Sequence, residues 1–273
     1  MRSFFIDSCV NLRYTVGIRL VYYRGQFMQT AKVLGVRFHI ITPEEALDEA
    51  QRSLDTDGGM RAVYTPNPEI VMRARTDAAF MDVLNRGDMV IPDGIGVVYG
   101  LRMNGVKIKD RVTGYDLVQS LLAHAAQYGK TVYFLGGKEE SVSLAKVNME
   151  AKYPGLQIVG YHNGFFDAEK EILILDEIRA KKPDLLLVFL GCPKQEKWID
   201  AHRDLPVRLA IGAGGSVDGM SGMVPRAPVF WQKIGMEWFY RLLCEPSRWR
   251  RQMILPKFML TVIGVRLFGK KKA

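Results

Sequence analysis

The chain reads as an α/β protein: a mostly parallel, Rossmann-like sheet with helices on both faces, followed by a basic helical C-terminal appendage. Three observations predict this. Short apolar runs alternate with helix-period segments from Val33 onward, the order expected of a parallel sheet covered on both faces. One run, Asp184 to Leu190, is nearly all apolar, as a strand buried on both sides must be. The net charge of +9 is unevenly placed: residues 241–273 hold nine Lys/Arg against one acid, Glu245, and residues 1–27 hold four Arg against Asp7, which leaves the middle at −2. The chain therefore divides into an extension of uncertain structure (residues 1–27, with Met28 an alternative start), an α/β body (28–224) and the appendage (225–273).

Val33 to Ile40 reads as the first strand. Thr42-Pro43-Glu44-Glu45 then starts a helix twice over, as a capping box and with proline at the first helical position. Ala46, Leu47, Ala50 and Leu54 form its apolar face. Asp55 to Gly59 closes it. The D-x-D there has the form of a metal–nucleotide ligand, but between a helix and a strand its residues favour a turn. Arg61 to Tyr64 is the second strand, and Thr65-Pro66-Asn67-Pro68-Glu69 follows it directly. The third strand, from Met89, runs into Pro92-Asp93-Gly94-Ile95-Gly96. Thr113-Gly114-Tyr115-Asp116 is a second capping box, opening a helix that Gly129 closes. Thr131 to Leu135 is a strand ending in Gly136-Gly137. A helix over roughly 139–153, a strand over 157–160 and a helix over 168–181 follow. The apolar strand to Leu190 ends in Gly191-Cys192-Pro193-Lys194-Gln195-Glu196 and leads into another helix. Arg208 to Ile211 is the last strand, ending in Gly212-Ala213-Gly214-Gly215. After Pro225 the sequence turns aromatic, with Phe230, Trp231, Trp238, Phe239 and Tyr240, and then basic.

Several strands thus end in glycine or polar residues. In a parallel sheet these ends share one edge, where ligands bind. Asp93, at a strand end before a glycine turn, is placed either to cap the next helix or to act as a base. Gly191-x-Pro193 before a helix offers either an ordinary cap or free N–H groups for a phosphate, with Lys194 and Gln195 at hand. Arg111 is either a solvated charge or an anion ligand, and Cys192 reads as packing.

Other chemistries are poorly supported. Gly94-x-Gly96 is followed by Gly100, one residue late for a dinucleotide fingerprint, and Gly212-x-Gly214 has Val217 where the third glycine belongs. This counts against a nucleotide-dependent oxidoreductase. Three distant cysteines and four scattered histidines form no ligand pair, arguing against a structural metal and for a reducing compartment. No apolar stretch reaches the length of a membrane span, and Arg13, Arg19 and Arg24 interrupt the N-terminus where a signal peptide would be apolar. The basic tail implies an anionic partner. A nucleic-acid-binding protein is the reading from another class, but it would place basic and aromatic residues on the body, which is net acidic.

Five motifs carry a resemblance. Thr65-Pro66-Asn67-Pro68-Glu69, Pro92-Asp93-Gly94-Ile95-Gly96, Arg111-Val112-Thr113-Gly114-Tyr115-Asp116, Gly191-Cys192-Pro193-Lys194-Gln195-Glu196, and Arg226-Ala227-Pro228 through Glu237-Trp238-Phe239-Tyr240-Arg241-Leu242 resemble, in order and spacing, the WecG/TagA/CpsF glycosyltransferases. The resemblance runs from about Val33 to Arg251. It implies an inverting, metal-independent and cofactor-free enzyme of cell-envelope polysaccharide or teichoic acid synthesis. Such an enzyme moves an N-acetylmannosamine-type sugar from a UDP donor to undecaprenyl-diphosphate-linked N-acetylglucosamine. The alternative donors within the family are N-acetylmannosaminuronic acid and glucose types. It also implies peripheral attachment to the cytoplasmic face of the cell membrane, no nucleic-acid partner, and room for self-association. The family pattern makes Asp93 the general base, with Thr65 and Asn67 positioning substrate and Arg111 meeting a diphosphate. Gln195 would line the donor site and Asp218 would lie near the nucleotide, with Gly136, Gly137, Cys192, Pro193 and Lys194 also expected to bind substrate. Arg241, Arg248 and Arg251 would reach back from the appendage to the leaving diphosphate.

Overall fold

A computed structural model describes residues 19–23, 26–233, 235–244, 249 and 253–268, without the side chains of residues 19–23, 26, 27, 233 and 241. Its centre is a six-stranded parallel sheet in the order β5-β4-β9-β8-β6-β7. The strands are β4 (Arg61–Tyr64), β5 (Met89–Val90), β6 (Thr131–Gly136), β7 (Gln157–His162), β8 (Leu185–Phe189) and β9 (Leu209–Gly212). All five residues of β8 are buried. Leu185, Leu187 and Phe189 join one hydrophobic core while Leu186 and Val188 join the other, the period of two that a doubly covered strand requires.

On one face lie α1 (Pro43–Asp55), α5 (Gly114–Tyr128), α6 (Glu139–Lys152) and the short α9 (Ser216–Met220). On the other lie α2 (Pro68–Ala74), α3 (Ala78–Arg86), α4 (Ile95–Met103), α7 (Ala168–Lys181) and α8 (Lys194–Ala201). The first capping box forms as expected: Thr42 Oγ1 accepts the Glu45 N–H and the Glu45 carboxylate accepts the Thr42 N–H. The second does not close. Thr113 is the N-cap of α5 but its side chain accepts no helix N–H; its hydroxyl donates to the Asp116 carboxylate.

The expected single strand over residues 33–40 is two strands. β2 (Gln26–Val33) and β3 (Val36–His39) form a hairpin joined at Leu34-Gly35, and β1 (Arg19–Tyr23) pairs with β2 to complete an antiparallel three-stranded sheet. Leu34 takes φ 50 and Gly35 φ 96, so both turn residues are left-handed, as a two-residue hairpin loop demands. β2 crosses the boundary placed between residues 27 and 28. This small sheet lies beside β5, where His39 Nδ1 accepts the Val90 N–H at 3.0 Å.

The appendage is helical. α10 (Val229–Lys233) and α11 (Glu237–Cys244) carry an aromatic cluster in which Trp231 lies 5.9 Å from Phe239 and 6.2 Å from Tyr240 between ring centres. α12 (Ile254–Phe268) packs on α2 and α4 through Phe258 and Val262, both buried. Among the described residues no helix is long and apolar enough to cross a membrane.

Candidate active site

All six parallel strands point their C-terminal ends at one edge, and the loops there are stitched to one another. β4 and β5 are neighbours, so Thr65 and Asn67 leave the sheet beside Asp93. The Ile91 N–H donates to the Tyr64 carbonyl at 2.9 Å, which holds the Asp93 loop against the end of β4. Gly94, at φ 88, brings the chain close to Asn67: a Cβ on Gly94 would lie 3.7 Å from Asn67 Cβ. Gly94 is the N-cap residue of α4 and has no side chain to cap it with. Asp93 immediately precedes that N-cap, at the mouth of α4, and is only partly buried.

Asn67 does act as a cap. Its Oδ1 accepts the Ile70 N–H at 3.0 Å, which fixes the side chain at the start of α2. Thr65 Oγ1 donates to the Gly212 carbonyl on neighbouring β9 at 3.4 Å. Gly114 packs so closely on Thr65 that an added Cβ would meet Thr65 Cγ2 at 3.1 Å. The Val112 N–H donates to the Pro92 carbonyl. Thr65, Asn67, Asp93 and the segment from Arg111 to Gly114 are thus brought together.

Arg111 is bound to the appendage. Its Nη2 lies 2.5 Å from Glu237 Oε2 and donates to the Gln232 carbonyl at 3.3 Å. Arg226 pairs with Asp116 at 2.7 Å and lies 4.7 Å from the centre of the Tyr115 ring. A Cβ on Gly235 would lie 3.3 Å from Ile95 at the start of α4. The C-terminal segment therefore seats on the same edge as Asp93. Arg241 lies on α11, but its side chain, like all of Arg248 and Arg251, is outside the described residues.

The expected donor side is more structural than the sequence suggests. Gln195 is 3% exposed, and both ends of its amide are used inside the protein. Its Nε2 donates to Glu196 Oε1 at 2.9 Å and its Oε1 accepts the Gly214 N–H at 3.0 Å. It braces the loop after β8 against the loop after β9. Gly136 and Gly137 leave no room for a ligand where their side chains would be: an added Cβ would meet the Phe189 carbonyl carbon at 2.5 Å and Val217 Cγ1 at 3.1 Å, respectively. At Gly191, by contrast, φ is 73 and a Cβ would meet nothing, so that turn is open. Cys192 and Pro193 join through a cis peptide bond, the Cys192 carbonyl accepts from Arg73 at 3.3 Å, and Lys194 is exposed at the first position of α8. Asp218 is half-buried in α9, beside Gly219, which packs on Tyr115.

Three residues of this edge, Glu196, Arg226 and Glu237, went unread as site residues. Glu196 is 1% exposed, and among the described residues its Oε2 has no hydrogen-bond partner. Burial pushes its carboxyl up, against the pull of the Gln195 amide and the Arg73 charge. Only the resemblance spans Arg226 and Glu237, and nothing local marks them as partners of residues 111 and 116. The D-x-D lies far from this chemistry. It precedes the N-terminal end of β4, and Asp57 there is paired with Arg208, so the turn reading holds.

Comparison with known proteins bears on this site. The model of the Glycosyl transferase WecG/TagA/CpsF family matches residues 31–272. The chain is similar to an N-acetylglucosaminyldiphosphoundecaprenol N-acetyl-beta-D-mannosaminyltransferase of Bacillus spizizenii, 40% identical over 202 residues that cover 74% of this chain and 78% of that protein. A protein of the same name from Bacillus subtilis is 38% identical with the same coverage.

Proposed function

The chain belongs to the WecG/TagA/CpsF glycosyltransferase family, and from that premise we propose that it moves N-acetylmannosamine from a UDP donor to N-acetylglucosamine on undecaprenyl diphosphate. The relatives' printed names supply the transferred sugar and the acceptor. The observation that carries the reading is the seating of Asp93, Thr65 and Asn67 on the sheet edge that the C-terminal segment covers.

The mechanism is a single inverting displacement. Asp93 takes the proton from the acceptor hydroxyl as that oxygen attacks the anomeric carbon, and the bond to UDP breaks on the opposite face. Asn67 and Thr65, each fixed by a hydrogen bond of its own, position the sugars. No metal takes part: the charge that develops on the departing diphosphate is met by Arg111 and by the appendage's Arg241, Arg248 and Arg251. Gly191 leaves backbone space beside α8 for the nucleotide, and Asp218 stands near it. The appendage also seats the enzyme on the membrane face where its lipid-borne acceptor resides.

The test is a panel of UDP-sugars (N-acetylmannosamine, N-acetylmannosaminuronic acid and glucose types) offered with a short-chain lipid-diphosphate N-acetylglucosamine, with product masses and anomeric configuration read out. N-acetylmannosamine transfer with inversion is expected, with chelator present. Asp93→Asn is expected to lower turnover by at least about 100-fold while leaving UDP affinity unchanged. Near-normal turnover in that variant removes Asp93 as the base, and a retained anomeric configuration removes the single displacement.

A further inference from the structure

Four charged side chains at this edge form a chain. Asp116 and Arg111 flank the start of α5, whereas Arg226 and Glu237 come from the C-terminal segment. Arg226 Nη2 lies 2.7 Å from Asp116 Oδ1, Glu237 Oε1 lies 3.9 Å from Arg226 Nε, and Glu237 Oε2 lies 2.5 Å from Arg111 Nη2. Arg111 and Glu237 are each 17% exposed, so solvent screens this pair less than a pair on open surface.

The way Arg111 is held is informative. Its contacts with Glu237 and with the Gln232 carbonyl both use one nitrogen, Nη2. Among the described residues its Nε and Nη1 donate to nothing. A guanidinium is a planar fork of five N–H donors. Held through one terminal nitrogen, it is fixed in direction and still offers its other donors to an anion. The holding group comes from α11, about 120 residues along the chain, so this orientation exists only with the appendage docked.

We propose that Glu237 is a positioning residue that acts through Arg111: it holds the guanidinium from the appendage side, so that the remaining N–H groups form an edge for a diphosphate. The proposal rests on the reading of Arg111 as a diphosphate ligand. Without Glu237, Arg111 keeps only its 3.3 Å bond to the Gln232 carbonyl, and more of the cost of ordering it falls on ligand binding. With it, that cost is met before the ligand arrives. A carboxylate that merely competed with the ligand for Arg111 would have the opposite effect.

A double-mutant cycle decides the sign and the route. UDP and, separately, inorganic diphosphate are titrated calorimetrically into the full chain, wild type, Glu237→Ala, Arg111→Ala and the double variant, with thermal melts as a folding control. Glu237→Ala is expected to weaken both ligands about tenfold in the wild-type background, and less than about twofold once Arg111 is gone. Glu237→Gln, which keeps an acceptor for Arg111, is expected to recover part of the loss, and it replaces Glu237→Ala in the cycle should that variant fail to fold. Equal losses in both backgrounds, or tighter binding in Glu237→Ala, overturn the proposal. If diphosphate shows the coupling but UDP does not bind, the positioning role stands and the UDP-sugar reading falls. If UDP binds and the losses add, the reverse holds. If neither ligand binds the wild type, there is no anion edge and the proposal falls.

Discussion

At the scale of single residues, His39 shows how one neutral side chain joins two sheets. It lies on β3, is 2% exposed, and accepts the Val90 N–H of β5. Burial, and then the charge of Arg37, push its imidazole down from 6.5 to about 4. Between those values the unfolded chain binds a proton that the folded chain refuses. The stability His39 contributes is therefore fully present above about pH 6.5 and is lost as pH falls toward 4, at up to about 1.4 kcal/mol per pH unit. Urea unfolding at pH 7 and pH 5 should show this loss. In His39→Asn, whose Oδ1 also accepts an N–H, the loss should shrink, and an equal loss in both proteins would assign the pH dependence elsewhere. The positions of Asp93, Thr65 and Asn67 are legible in sequence because each follows the end of a parallel strand. Gln195 is legible as a site residue by position but not in its bonds, since Gly214, which its amide holds, arrives from another strand.

At the scale of elements, α4 and α12 explain two glycines that resemble a failed dinucleotide fingerprint. Gly96 and Gly100 stand one turn apart on α4 and form the groove that receives α12. A Cβ on Gly96 would lie 2.7 Å from Leu255 Cδ1 and from Pro68 Cγ, and one on Gly100 would lie 3.3 Å from Phe258 Cζ. The end of Leu255 is able to turn aside, but the Pro68 ring is not. Gly96→Ala gains roughly 1 kcal/mol of helix propensity, yet overpacking costs about 1–3 kcal/mol. A lower urea midpoint is the expected result, and a raised midpoint would mean that the groove has slack. Elements with local signals, such as the Thr42 capping box and the doubly buried β8, are readable from the chain. The β2–β3 hairpin is not, because leucine at a left-handed turn position gives no turn signal, and Val33 to Ile40 then passes for one strand.

At the scale of the molecule, the fold is legible because alternation and one apolar run constrain it, whereas docking of the appendage depends on pairs such as Arg111–Glu237 that no local pattern announces. The inner face of α12 is buried against the body, and its outer face exposes Leu260, Leu267 and Phe268. Apolar side chains grouped beside Lys257 suit a lipid interface, whereas Arg266 donates to the Met103 carbonyl on the body side. Replacing Leu260, Leu267 and Phe268 together by Asp should abolish co-flotation with anionic vesicles and leave the thermal midpoint nearly unchanged, since none of the three is buried. Undiminished flotation would remove the outer face of α12 as the contact.

The packing of α12 on α4 also sets a height. Packed helices lie about 8–10 Å apart between axes, and α4 begins two residues after Asp93. With the outer face of α12 resting on lipid, the carboxylate stands roughly one helix diameter above the bilayer surface. On the proposed function, such a height would let a lipid carrier keep its tail in the membrane and lift only its sugar to meet Asp93.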